Sequence, residues 1–143
     1  MKNTHYPSAL ILLLLFAVGC GGNVAVTGKV TFQDGTPLES GTVFFESTEL
    51  SARGYILSGG VYSLETGEQK GIPPGTYRVS IGGYEPTVVP APIGPDGLPA
   101  GMARIVPAVI PIADKFLSAE TSGLVCEVKR RTKFDITVEP PVR

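Results

Sequence analysis

The chain has no tryptophan, a single histidine (His5) and two cysteines, Cys20 and Cys126, in 143 residues. Each shortage removes a class of chemistry. His5 lies at the extreme amino terminus, so downstream of it no imidazole can serve as a base for a serine or cysteine nucleophile. Zinc sites lean on His, Cys and carboxylate at defined spacing, and that pattern is missing as well. There is no G-x-S-x-G elbow. Asp34, Asp96 and Asp114 stand apart in turn contexts, whereas calcium wants six or more clustered oxygens. We therefore expect no catalytic residue, no cofactor and no metal: the chain reads as a non-enzyme. An excess of one charge is absent too, with 12 basic residues against 13 acidic ones. A nucleic-acid partner, which needs a basic face or stripe, is not expected. Sugar stacking without tryptophan would fall to tyrosine, but Tyr55, Tyr62 and Tyr77 alternate as if turned inward.

No long apolar run exists beyond the amino terminus, and the one found there is short. "ALILLLLFAV" (Ala9 to Val18) carries no polar residue. A spanning helix needs about 20 apolar residues, roughly twice this length. Behind Lys2 and before "GCGGN" the run reads as a secretory signal peptide over 1–19. "Ala17-Val18-Gly19-Cys20" resembles a bacterial lipobox, although alanine stands where leucine is more usual. That resemblance implies cleavage before Cys20, attachment of a diacylglycerol to its thiol, and a short tether over 20–23. Two or more acyl chains hold a protein stably at a membrane where one would not. The expectation is an exported, membrane-anchored lipoprotein facing the periplasm or cell surface. The outer membrane is favoured, since no aspartate follows Cys20. A secreted, non-lipidated domain that binds a ligand or the cell wall is the alternative. Cys126 is then left without a partner, and a lone thiol in an exported protein is expected to be buried.

What the chain has in abundance is turn formers, 18 glycines and 13 prolines, set among alternating apolar residues. Alternation is the mark of a half-buried strand. In "VAVTGKVTF" Val24, Val26, Val30 and Phe32 share a face, and Asp34-Gly35 then suits a turn with positive φ. "TVFFES" is a second strand. "GYILS" and "VYSLE" flank Gly59-Gly60 as an expected hairpin, and "TYRVSIG" turns Tyr77, Val79 and Ile81 to one side. "GLVCEVK" and "KFDITVE" form a second expected hairpin around "RRT", with Phe134, Ile136 and Val138 inward. Seven short strands and no helix point to an all-β, two-sheet sandwich over 24–143.

Between the fifth and sixth strands, 83–113 is proline-rich, which excludes a regular central strand. It is also apolar, so an excursion packing partly against the sandwich is expected rather than a disordered linker. As a loop it could bind a partner. Tyr84 at its mouth is the aromatic expected to be exposed. The basic group Lys129, Arg130, Arg131 and Lys133 is placed at a hairpin tip, where it could meet anionic lipid headgroups or cell-wall polymer.

In combination, "VTGKVTFQDGTPLESGTVFF", "GGVYSLE" and "GIPPGTYRVSI" resemble the carboxypeptidase regulatory-like, or transthyretin-like (prealbumin-like), β-sandwich. The tail "IPIADKFLSAETSGLVCEVKRRTKFDITV" resembles the form found in small planctomycete lipoproteins. The resemblance spans roughly 24–138. It implies a seven-stranded Greek-key sandwich and a structural or partner-binding role at the cell envelope, through an edge strand or a loop. Hydroxyisourate hydrolases share the fold but rely on histidines and a Tyr-Arg-Gly-Ser terminus, where this sequence reads Pro140-Pro141-Val142-Arg143.

Overall fold

The computed structural model describes residues 22–142, so the expected leader, Cys20 and its expected acylation lie outside the described residues. The chain is an all-β sandwich. Its main strands are β1 (Val26–Phe32), β2 (Thr42–Glu46), β3 (Ser51–Tyr55), β4 (Val61–Ser63), β7 (Gly75–Gly82), β10 (Leu124–Val128) and β12 (Ile136–Val138). Short pieces β5 (Glu65–Thr66), β6 (Gln69–Lys70) and β11 (Thr132–Lys133) extend them, and β8 (Thr87–Val89) and β9 (Arg104–Val106) lie in the proline-rich excursion.

One sheet is centred on β1. Its even-numbered backbone groups face β4 and the return of the Asp34-Gly35 turn, as in Leu64 N–H to Val26 O (2.9 Å) and Leu38 N–H to Val30 O (3.0 Å). Its odd-numbered groups face β11 and β12, which run parallel to it. Gly35 has the positive φ (85°) that this turn demands. The other sheet runs β10-β7-β2-β3-β5-β6.

The strands that alternate in sequence bury their apolar faces between the two sheets. Val26, Val30, Tyr62, Ile136 and Val138 come from the first sheet; Val43, Phe45, Ala52, Tyr77, Val79, Ile81, Cys126 and Val128 come from the second. Phe45 sits at the junction, 5.9 Å from Phe134 in an edge-on contact and 6.4 Å from Tyr62. Ile112, Ala113 and Phe116 close one side: Ala113 N–H donates to Glu139 O (2.8 Å) on the first sheet, and the Ser122 hydroxyl donates to Val79 O on the second.

Both expected hairpins are replaced by crossings between sheets. β3 starts earlier than "GYILS" and pairs with β2 and β5, whereas β4 pairs with β1. Gly59-Gly60 lies in a 3-10 turn at a corner of the sandwich, not at a ladder's end. Likewise β10 pairs with β7, while β11 and β12 lie along β1. Alternation shows which side of a strand is apolar, and two strands facing one core from opposite sheets read the same as two paired strands. The excursion packs against the sandwich only at its two ends. Ile112 and Ala113 join the core, but most of its apolar residues stay in solvent, including Met102 at 91% and Val109 at 86% exposure.

Candidate functional site

The two ends of the sandwich carry different chemistry. At one end the chain enters through Val24, which pairs with Ile72 (N–H to O, 2.8 Å), and the Asn23 amide reaches Gln69. Beside it lies the connection from β10 to β11. Thr132 N–H donates to Ala25 O (3.0 Å), and the Thr132 hydroxyl donates back to Arg130 O (2.6 Å), which shapes the basic turn. The four basic residues predicted from sequence are thus brought together and exposed, although the turn joins two sheets rather than two paired strands. Lys129 is bridged to Glu127 and Lys133 to Asp135, both at 3.1 Å. No ion pair among the described residues involves Arg130 or Arg131.

At the other end the excursion leaves β7. Tyr84 is half-buried rather than exposed, because its hydroxyl donates to Ser40 O (3.3 Å) and its ring packs on the core. Burial pushes its phenol up to about 12. Ser40 and Gly41 adjoin Leu38, which pairs with Val30 far along β1 from the entry point. A groove of about 350 Å³ between Ser40, Tyr84 and Val106 to Val109 marks the base of the excursion.

From there the chain forms an arm. β8 and β9 pair antiparallel from Thr87↔Val106 to Val89↔Arg104. The ladder then continues through Ala100 N–H to Pro92 O (2.8 Å) and Gly94 N–H to Leu98 O (2.7 Å) to a tip at Gly94–Gly97. Prolines explain why the strands are short: Pro86 and Pro90 bound β8, and Pro107 ends β9. Val88, Ile93, Leu98, Met102 and Ile105 are all exposed along this arm. Sequence reasoning found its composition but not its hairpin, since each paired run is only three residues long.

Between the ends, the outer face of the larger sheet bears Arg78 aligned with Glu46 and Val125. These line an open groove of about 440 Å³ with Glu120. Tyr55 points outward onto this face and is 56% exposed, contrary to the inward alternation read from sequence. The Arg53 guanidinium lies 5.6 Å over its ring, satisfying it locally. Asp34 and Asp96 accept the N–H groups of Thr36 (2.9 Å) and Leu98 (3.2 Å) as turn formers. Those hydrogen bonds hold the Asp34 carboxyl below its ordinary range. Cys126 is buried and has no disulfide partner among the described residues, and burial raises its thiol. No group of three or more His, Cys, Asp or Glu side chains among the described residues is placed to hold a metal.

No protein-family model matches this chain, and no curated protein matches it. Among solved structures it is similar to a 9R-lipoxygenase from Cyanothece PCC8801, at 13% identity and a TM-score of 0.33. That likeness covers 84% of this chain but 16% of the lipoxygenase, and it is too slight to carry an argument about fold or activity.

Proposed function

We propose that this chain is a non-catalytic module of the cell envelope, exported and held by lipid on Cys20, which binds an envelope partner through its arm. The proposal keeps the resemblance to carboxypeptidase regulatory-like sandwiches of planctomycete lipoproteins, with which the all-β fold is compatible. The observation that carries it is the arm. A two-stranded ribbon standing alone is at best marginally stable in water. This one nonetheless presents Val88, Ile93, Leu98, Met102 and Ile105 to solvent, with both strand edges unpaired in its two-stranded sheet. Exposed apolar surface of this extent marks an interaction site, and a ribbon edge can add a strand from a partner.

Two measurements test the reading. Intact mass of membrane-extracted protein should show acyl chains that a Cys20→Ser protein lacks, and an unacylated mature mass sinks the anchor. Proteins cross-linked to the arm in intact envelopes should be lost from a Val88→Asp/Ile105→Asp variant. An unchanged cross-linking pattern overturns the partner role.

A further inference from the structure

We infer that the entry end of the sandwich lies against an anionic lipid surface, with Arg130 and Arg131 contacting lipid headgroups, while the arm leaves from the end facing away. This rests on the lipid-anchor reading and adds an orientation to it.

Covalent reach sets the first constraint. Ala25 is five residues beyond Cys20, so their Cα atoms are at most about 18 Å apart even with the chain fully extended. Ala25 O accepts the Thr132 N–H directly, and Arg131 is the next residue back. A lipid on Cys20 therefore holds the basic turn within a short tether of the headgroup layer.

Charge sets the second. Lys129 and Lys133 are each compensated by a carboxylate, Glu127 and Asp135. Arg130 and Arg131 are exposed and take part in no described ion pair. The guanidinium is well suited to this role, because it binds phosphate oxygens in a two-pronged fashion. Basic residues beside a membrane anchor are attracted to anionic headgroups over about a Debye length, roughly 8 Å in physiological salt.

The topology makes the contact one-sided. β7 begins near the entry point and runs to Gly82, a rise of about 23 Å at the usual strand spacing. The arm starts beyond that, next to Ser40.

The test uses the full acylated protein in vesicles of phosphatidylcholine alone, or with about one-third phosphatidylglycerol to supply surface charge. Tryptic cleavage is followed after Lys129 to Lys133, with Arg104 on the arm as internal reference. Cleavage in the turn should slow about tenfold on the anionic vesicles while cleavage after Arg104 is unchanged. The difference should disappear in about 1 M salt, where the screening length falls to about 3 Å. In an Arg130→Gln/Arg131→Gln protein, cleavage after Lys129 and Lys133 should run alike on both vesicles. Equal cleavage of the wild-type turn on both surfaces overturns the inference while leaving the anchor intact. If intact mass shows no acyl chain, the anchor fails and the orientation fails with it.

Discussion

Tyr62 ties β4 and β1 to the segment between β11 and β12. It stands opposite Gly28 on β1, its ring fills the space a side chain at Gly28 would need, and its hydroxyl donates to Phe134 O beyond β1. A Cβ at Gly28 would come within 2.8 Å of the Tyr62 ring and closer still to the Phe134 carbonyl, so the glycine is a packing requirement rather than a turn signal. Tyr62→Phe keeps the ring and strands that carbonyl. A loss of about 1–2 kcal/mol is expected in urea or guanidinium unfolding. Gly28→Ala should cost more, since backbone and ring must both move; equal stability of either variant to wild type would refute this packing. Tyrosine placement follows from the same packing. Alternation locates Tyr62 and Tyr77 correctly inside, but Tyr55 belongs to a strand whose inward residues are Ala52 and Gly54. Small side chains give a weak apolar signal, and its strongest aromatic lies on the outer face.

At the scale of elements, the arm and the crossings decide how surfaces are presented. The arm's side chains are exposed, Val88 at 62% and Ile105 at 70%, and its ladder is separate from both sandwich sheets. Charging these two positions removes no core contact. The melting temperature of Val88→Asp/Ile105→Asp should stay within about 2 °C of wild type, as for surface substitutions generally. A large drop in calorimetry would mean that the arm packs on the sandwich after all. The crossing from β10 to β11 matters differently. Its turn is pinned by parallel pairing of Val26 with Thr132, so the basic residues stand beside the entering chain. A simple hairpin between β10 and β12 would not have required that neighbourhood.

For the whole molecule, buried phenols link stability to pH. Burial disfavours the phenolate and raises the pKa of Tyr62, Tyr77 and Tyr84, the last to about 12, from an ordinary value of 10.0. A folded value above the unfolded one favours the folded state fully below pH 10, and that advantage is lost as pH rises through the folded values. Stability should therefore hold up to about pH 10 and fall steeply toward pH 12 and beyond. Phenolate absorbance should show a late, cooperative phase coincident with loss of far-ultraviolet dichroism. Independent titration of all tyrosines near pH 10 would contradict the burial described.

The sequence by itself determined which residues face inward along most strands, the turn at Asp34-Gly35, the all-β class, and the separation of a proline-rich stretch between the fifth and sixth strands. These are local properties: side chains alternate along a strand, glycine tolerates positive φ, and proline donates no hydrogen bond. The proposed leader and the proposed acylation of Cys20 rest on local sequence pattern alone and lie outside the described residues. Tertiary structure alone decided which strand pairs with which. It sent β3 and β4, and β10 and β12, to different sheets, folded the excursion into an arm, and set the basic turn beside Ala25. Strand pairing depends on contacts far apart in the chain, and a period of two carries no information about the partner.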